Sequence, residues 1–422
     1  MKRLLLICLV LAGCAAPGAT GSTSGPAGPR FSATGPDAAD YGANEGFPIG
    51  GRATFFQVGY LVGSHSHLDE IFEGRPVRRA ATPSALGRAD AEPAVRYEFR
   101  GEARTLDDYL ASNPTTGLLI ARGDTILVER YQYARDDHQR FTSWSMAKTV
   151  TSMLVGIALA DGRLRSIDDL PESYVPALAG TEYGRTPLRH LLRMSSGVNF
   201  VEKYTGDDDV MRLALSTFVQ GRQGGPGSAS AVTPFNERGA PSGTRFSYAS
   251  AETQVLGLVL RAAVGRPLTE YLEEKIWQPI GAEADATWLV DRSGQEATFC
   301  CLNAVLRDYA RLGLLLAHDG NWRGRQLVPA AWIQEATRVP ADQAYRRPGI
   351  ATTFFGYGYQ VWIFPGDRRM FALLGVRGQS IFVDPASRLV MVHTAVRKES
   401  AAGGSRAESI ALWQALVRDL GQ

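Results

Sequence analysis

Residues 141–150, FTSWSMAKTV, place a serine one helical turn before a lysine at the start of an apolar segment. Ser145 and Lys148 are three residues apart, so on a helix their side chains share one face and can meet. Apolar residues recur from here at the three-and-four spacing of a buried helical stripe: Met146, Val150, Met153, Leu154 and Ile157. Gly162 then provides a natural left-handed cap. The pattern predicts a buried helix over 145–160 with both polar side chains near its beginning.

Two interpretations of this serine and lysine are open. A lysine beside a buried stripe loses hydration, which disfavours its charged form and makes the amine a proton acceptor. On that reasoning Ser145 is a nucleophile and Lys148 is its base. The structural alternative is that Ser145 only caps the helix, because the S-x-x-K spacing also arises by chance in many chains. Other clusters in the chain must decide between the two.

The composition is that of an ordinary globular protein. Of the 422 residues 45% are hydrophobic and 21% are charged, so the chain can bury a large core, and its length allows two or three domains. Its 45 basic and 43 acidic residues leave a formal charge of +2, which gives no reason to propose nucleic acid or a strongly acidic partner. We predict a small-molecule or peptide substrate, no protein partner and no cofactor.

The N-terminus, MKRLLLICLVLAGC, joins a basic start to a short apolar run. The run is too short to stay in a membrane as a span, so it predicts an export signal over residues 1–13. Its Leu-Ala-Gly-Cys ending resembles a bacterial lipobox, which implies cleavage before Cys14 and a diacylglyceryl anchor on its sulfur. The alternative is a plain secretory signal. Ala15, in place of an acidic residue, implies by resemblance to Gram-negative lipoproteins the periplasmic face of the outer membrane, within the cell envelope.

The segments after the anchor differ in composition. Residues 14–50 are rich in Gly, Ala, Ser, Pro and Thr and contain almost no large apolar side chain, which predicts a flexible tether, with folding from about residue 50. Residues 51–100 mix short apolar runs with turns and are interpreted as an irregular N-terminal extension packed on the main domain. Residues 101–422 form the main domain.

Cysteines and histidines suggest neither a disulfide framework nor a metal site. Cys8 leaves with the signal and Cys14 carries the lipid, so only the adjacent Cys300 and Cys301 remain. Adjacent cysteines rarely bridge each other, so we predict that they pack in the core. His65 and His67 lack a third ligand at a convincing spacing, and no metal is assigned.

The main domain alternates strand and helix patterns. TLDDYLASN predicts a helix, GLLIARGDTILVERY a hairpin, and SRAESIALWQALVRDLG a closing helix. FGYGYQVWIF, MFALLGVRG and SIFVDPASRLVMVHTAV predict three antiparallel strands. We therefore predict the α+β class, with an antiparallel sheet flanked by helices and an inserted, mostly helical region.

Two later clusters supply what a serine hydrolase needs besides its nucleophile and base. Tyr248, in the sequence SYAS, follows a turn from which a phenol can project into a cleft, and a cation at Lys148 would help to hold it as phenolate. The stretch GVRGQS, residues 375–380, is a glycine-containing strand that a substrate can approach closely. Viewed alone, the first is a core tyrosine and the second a bulge.

Together these clusters carry a resemblance. Ser145-Met146-Ala147-Lys148, Tyr248-Ala249-Ser250 and the Gly378-Gln379 strand resemble, in this order, the S-x-x-K, Y-x-N and K-T-G elements of the serine β-lactamase and penicillin-binding protein superfamily. The similarity covers about residues 100 to 420 and is greatest to the 6-aminohexanoate-dimer hydrolase and carboxylesterase-like branch. It implies the β-lactamase/transpeptidase-like fold and a Lys148/Tyr248 proton relay. It also implies an oxyanion site at the NH groups of Ser145 and Gln379, and, in the dimer-hydrolase branch, a substrate contact at Tyr204.

Two departures bear on the substrate. Ser250 stands where β-lactamases have Asn, and Val376 stands where a Lys or His normally engages the substrate carboxylate. Arg377 would point to the opposite face by strand alternation. The resemblance therefore implies a hydrolase of esters or linear amides in preference to β-lactams. The alternatives are a β-lactamase or D-Ala-D-Ala carboxypeptidase, and a non-catalytic cell-wall or peptide-binding lipoprotein.

Overall fold

The computed structural model describes residues 28–220, 229–400 and 405–421. The proposed export signal, Cys14 and the start of the predicted tether lie outside the described residues. Within these ranges no helix has the length and apolarity needed to cross a bilayer.

Seventeen short strands are distributed along these ranges. They are β1 (Arg30–Phe31), β2 (Gly74–Val77), β3 (Gly87–Arg88), β4 (Arg96–Phe99), β5 (Glu102–Thr105), β6 (Thr115–Arg122), β7 (Thr125–Tyr131), β8 (Arg140–Thr142), β9 (Ala286–Leu289), β10 (Leu302–Val305), β11 (Asn321–Trp322), β12 (Arg325–Gln326), β13 (Gly356–Tyr357), β14 (Trp362–Ile363), β15 (Phe371–Leu374), β16 (Ser380–Asp384) and β17 (Leu389–Ala395).

The helices lie between and after these strands. They are α1 (Leu61–Ser66), α2 (Leu68–Ile71), α3 (Leu106–Ser112), α4 (Ala147–Ala160), α5 (Leu188–Leu192), α6 (Asp209–Leu215), α7 (Ala229–Val232), α8 (Ser250–Val264), α9 (Leu268–Leu272), α10 (Leu306–Ala317), α11 (Ala330–Ala336) and α12 (Ser405–Leu420).

The main sheet runs in the order β1-β7-β6-β17-β16-β15-β14-β13, with β3 also paired to β7. Its pairs are antiparallel except for β1 and β3, which run parallel to β7. β6 and β7 meet at a tight turn in which Gly123 has φ 57°, as the hairpin prediction requires. A second sheet has the order β2-β9-β10-β8.

Side-chain alternation along β6 divides the core into two layers. Leu118 and Ile120 point to one face, where they join a buried cluster that includes Trp413 of α12. Leu119 and Ala121 point to the other face and join the larger cluster that contains α10, α4 and α8. The sheet therefore has helices on both faces, and the predicted α+β class is confirmed.

The predicted helices at 106–112, 147–160 and 405–420 are present. The C-terminal region differs in detail, because the three predicted strands are five, β13 to β17. The first aromatic run is split where Gln360, with φ 60°, turns the chain between β13 and β14. The second run gives the single strand β15, and the third is split after Asp384, where β16 ends and the chain turns into β17.

The packed chain also begins earlier than predicted. β1 pairs with β7 of the main sheet, and Tyr41 and Phe47 are buried against Tyr133. The expectation that folding starts near residue 50 is therefore wrong for residues 28–50, because a few aromatic side chains suffice to anchor a segment of mostly small residues. Residues 51–100 pack on the body as short elements, and β2 forms an edge of the second sheet.

Candidate active site

Ser145 and Lys148 lie side by side at the start of α4. Ser145 is in a single helical turn, Trp144–Met146, that leads into α4, and Trp144 has the left-handed φ of 43°. Lys148 is the second residue of α4 and is 1% exposed. Its Nζ lies 2.9 Å from Ser145 Oγ. The sequence prediction that one helical turn brings these side chains together describes the structure correctly.

The surroundings of Lys148 suit a proton acceptor. Its Nζ also contacts Ser250 Oγ at 3.0 Å and the carbonyl oxygen of Phe299 at 2.8 Å. Burial lowers the pKa of Lys148 from 10.5 to about 8, opposed by the charge of Glu202. A neutral amine has two N–H groups and one lone pair. Because Ser250 Oγ and the Phe299 carbonyl can accept the two N–H groups, the lone pair is left for the hydroxyl proton of Ser145.

Ser250 connects this lysine to a carboxylate. Its Oγ donates to Glu202 Oε1 at 2.8 Å and its backbone NH donates to Glu202 Oε2 at 2.7 Å. The hydroxyl of Tyr204 donates to the same carboxylate at 2.5 Å. Sequence reasoning missed Glu202, although its position two residues before Tyr204 was a usable signal. Ser250, which stands where β-lactamases have Asn, thus links Lys148 to Glu202 through its hydroxyl.

Tyr248 lies two residues before the start of α8, and its ring faces the lysine. Lys148 Nζ lies 5.1 Å from the ring centroid, and the ring stacks on Trp362 at 5.2 Å. Burial raises the pKa of Tyr248 far above its usual value, and a hydrogen bond with Ser145 opposes this rise only in part. The phenol is therefore protonated at neutral pH, so the expectation of a phenolate is wrong: desolvation and the charge of Glu202 raise the pKa by more than Ser145 and the charge of Arg406 lower it. A protonated phenol can still relay a proton.

The third motif has a geometry that strand alternation did not predict. Arg377 has φ 58°, so the chain turns between β15 and β16. Val376 lines both cavities that reach Ser145, whereas Gln379 lines neither, and its Nε2 donates instead to the carbonyl of Ala395 at 2.6 Å. Gly378 is packed against Ala395, with no room for a Cβ. The backbone beside the nucleophile is therefore that of Gly375 and Val376 rather than that of Gln379.

Gly375 is the glycine that the close approach requires. A Cβ at this position would lie 2.5 Å from the carbonyl oxygen of Ser143 and 3.0 Å from Cβ of Trp144. Such contacts are too short for any other residue. The end of β15 can therefore lie directly against the segment that carries Ser145.

Two cavities meet at Ser145. The smaller, of about 260 Å³, has a mostly apolar wall that includes Phe56, Trp144, Phe218, Phe299, Cys300 and Val376. The larger, of about 690 Å³, includes Tyr248, Phe354, Phe355, Trp362, Arg406 and Ile410. Glu202 and Tyr204 line both. An acyl group and a leaving group can thus extend from Ser145 in two directions.

Two arginines border these cavities, and they differ in the number of hydrogen bonds that they donate to protein carbonyls. Arg377 lines the smaller cavity and donates to the carbonyls of Arg397 and Lys398 at 2.8 and 2.7 Å. Arg406, on α12, lines the larger cavity and donates one bond, of 3.1 Å, to the carbonyl of Gly375. Its buried Nε has no partner among the described residues. Burial lowers its pKa to about 10, so it remains charged at neutral pH.

The prediction that Cys300 and Cys301 pack in the core is confirmed, but the expectation that they do not bridge each other is wrong. Cys300 and Cys301 are both buried and are joined by a disulfide. A loop between β9 and β10 brings the two sulfur atoms together, which spacing in the sequence could not reveal. His65 is buried against Phe56 and Trp144, and His67 Nδ1 lies 2.8 Å from the carbonyl of Gly63.

Known proteins resemble this chain in sequence and in fold. The model of the beta-lactamase family matches residues 103–413. The 6-aminohexanoate-dimer hydrolase of Paenarthrobacter ureafaciens is 27% identical over 319 residues, which cover 73% of this chain and 81% of that protein.

Solved structures share the fold. A Bacillus anthracis protein provisionally named as a 6-aminohexanoate-dimer hydrolase superimposes with a TM-score of 0.77 at 22% identity, covering 87% of this chain and 97% of the other. A family VIII carboxylesterase superimposes with a TM-score of 0.53 at 17% identity, covering 72% and 92%. The predicted fold and the resemblance drawn from the three motifs are confirmed.

Proposed function

The chain belongs to the beta-lactamase family, and we propose that within it this protein is an exported serine hydrolase that cleaves ester or linear amide bonds through an acyl-enzyme on Ser145. The observation that carries the proposal is the contact of 2.9 Å between Lys148 Nζ and Ser145 Oγ at the junction of two cavities. A buried amine with a lowered pKa, next to a hydroxyl that a substrate can reach, is the arrangement that activates a serine.

In the first step Lys148 accepts the proton of Ser145 Oγ, and the oxygen attacks the substrate carbonyl. The NH groups of Ser145 and Val376 receive the developing oxyanion, because Val376 and not Gln379 borders the reaction site. Tyr248, which lines the larger cavity together with Ser145 and faces Lys148, passes a proton to the leaving group. In the second step Tyr248 and Lys148 run the relay in reverse and activate the water that releases the acyl group. Glu202 and Ser250 keep the amine of Lys148 in place during both steps.

The larger cavity holds the leaving group, since Tyr248 lines it and the smaller cavity excludes Tyr248. Arg406 lines the same cavity without a carboxylate among its hydrogen-bond partners in residues 28–220, 229–400 and 405–421. Val376 replaces the Lys or His that normally engages a substrate carboxylate, and the guanidinium of Arg406, on α12, offers a positive charge in its place. We extend the proposal to substrates whose leaving part carries a carboxylate.

A matched pair of esters tests this extension. The pair is 4-(butyryloxy)benzoic acid and its methyl ester, which differ in one negative charge on the leaving group. Arg406→Gln is expected to lower the ratio of kcat/KM for the acid over the methyl ester by about tenfold, since a charge-assisted hydrogen bond is lost. Arg418→Gln, an exposed arginine on the same helix, is the control and should leave the ratio unchanged. An unchanged ratio in Arg406→Gln contradicts the extension.

The same kinetics separate the other functions that remain open. Nitrocefin and a D-Ala-D-Ala peptide both carry a carboxylate, and Arg406 is the observation that favours them as a second candidate class. A larger kcat/KM for either one than for the esters would assign a β-lactamase or a carboxypeptidase. Absence of turnover for every substrate would favour the non-catalytic, peptide-binding alternative.

The location is a further part of the proposal and depends on Cys14. If Cys14 carries the lipid, the mature protein is held at the cell envelope, on the periplasmic face of the outer membrane, because the acyl chains partition into the bilayer. Cys14→Ser is expected to move the protein from the membrane fraction to the soluble periplasm. Fractionation followed by immunoblotting measures this, with Cys300→Ser as the control for loss of a cysteine elsewhere. Retention of Cys14→Ser in the membrane fraction would argue against lipidation.

A further inference from the structure

The disulfide lies in a segment that contacts Lys148 and also Ser143, close before the nucleophile in the chain. Residue 299 precedes it, and the carbonyl oxygen of Phe299 accepts from Lys148 Nζ at 2.8 Å. Leu302 follows it. The NH of Leu302 donates to Ser143 Oγ at 3.0 Å, and the NH of Ser143 donates to the carbonyl oxygen of Leu302 at 2.8 Å. Ser143 is two residues before the nucleophile. The disulfide thus lies in the middle of a short segment. The residue before it is hydrogen-bonded to Lys148, and the residue after it is hydrogen-bonded to Ser143.

The backbone within this segment has an unfavourable conformation. Cys301 has φ 70°, in the left-handed region that non-glycine residues rarely adopt. The ring closed by the disulfide restricts the rotation of both cysteines, and opening it lets Cys301 relax toward negative φ. Such a rotation would move the peptide between Cys300 and Cys301, and with it the carbonyl of Phe299, the residue before Cys300. Lys148 would then lose one of the two acceptors that orient its lone pair.

We propose that Cys300 and Cys301 are positioning residues for Lys148, and that reduction of their disulfide lowers the reactivity of Ser145. This inference rests on the proposed function, because it concerns the regulation of the same site. Cys300 lines the smaller cavity, so a small dithiol reaches the disulfide through the cavity that the substrate uses.

The redox step is an ordinary thiol–disulfide exchange. One thiolate of the reductant attacks Sγ of Cys300, the bond to Cys301 breaks, and the Cys301 thiolate takes up a proton. The second thiol of the reductant then displaces Sγ of Cys300. The products are two protein thiols and one cyclic disulfide of the reductant, so two electrons and two protons pass to the protein.

The test compares oxidised, dithiothreitol-reduced and reoxidised wild-type protein on p-nitrophenyl butyrate. Reduction is expected to lower kcat about tenfold with KM changed less than twofold, because a displaced general base affects chemistry more than binding. Water that enters beside Lys148 should also raise its pKa from about 8 toward the ordinary value, so the rise of kcat with pH moves to higher pH. Reoxidation should restore both.

The redox state is read independently from one tryptic peptide. Residues 293–307, SGQEATFCCLNAVLR, contain both cysteines and no other. Iodoacetamide should add no group in the oxidised protein and two groups after reduction. The double variant Cys300→Ser/Cys301→Ser is expected to match the reduced protein and to ignore dithiothreitol, and if it does not fold the wild-type cycle still decides.

Two results would overturn the proposal. One is a fully alkylated peptide in a protein whose kcat and pH profile are unchanged. The other is a peptide that is alkylated without reduction, which would mean that the disulfide does not exist. Absence of hydrolysis in the oxidised protein is a different outcome, because it overturns the proposed function and this inference with it.

Discussion

Ser145→Ala is expected to lower kcat/KM for p-nitrophenyl butyrate by at least about 10⁴-fold, since it removes the hydroxyl on which the proposed acyl-enzyme forms. The remaining activity would come from the oxyanion donors and from substrate binding. The effect should be almost entirely on kcat, because alanine leaves the walls of both cavities in place. Ser166→Ala, which removes a hydroxyl from an exposed loop, is the control and should retain full activity. Activity of Ser145→Ala within tenfold of wild type would exclude this serine as the nucleophile.

Lys148→Met is expected to lower kcat by about 10³-fold, within the range that general-base catalysis contributes. Methionine keeps much of the apolar volume of the lysine stem, so the loss reports on the amine. The matched control is Lys275→Met, which removes a lysine that pairs with Asp161 away from the cavities. Circular dichroism of both variants would confirm that they fold. A kcat close to wild type in Lys148→Met would mean that another group takes the proton.

The pH dependence of the wild-type enzyme gives a second readout of the same lysine. Lys148 must be neutral to accept a proton, and burial lowers its pKa to about 8. Activity should therefore be low below this pH, rise through it, and level off above it. A lysine with an ordinary pKa of 10.5 would instead keep activity rising beyond pH 10.

The parts of the site that follow a local periodicity could be predicted from sequence. The contact between Ser145 and Lys148 depends only on the pitch of one helix, so the spacing of three residues was sufficient. Tyr248 followed from the order of the motifs. The α+β class followed from the alternation of strand and helix patterns.

The parts that depend on distant segments or on an unusual backbone could not be predicted. Arg406 reaches the cavity from the C-terminal helix, and no local pattern links it to Ser145. Strand alternation assigned Arg377 to the opposite face, and the resemblance assigned the oxyanion contact to Gln379. The left-handed turn at Arg377 breaks that alternation and changes which backbone borders Ser145. The aromatic anchors of residues 28–50 were too sparse to outweigh the composition around them.

The central claim is that Ser145 is the residue that becomes acylated, and a mass measurement tests it most directly. The folded protein is treated with a fluorophosphonate probe, digested, and searched for the peptide that carries the adduct. We predict one phosphonyl group on Ser145, fast labelling that slows below pH 8, and no adduct in Ser145→Ala. An unlabelled Ser145, or a probe attached to another residue with equal rate in Ser145→Ala, would contradict the account.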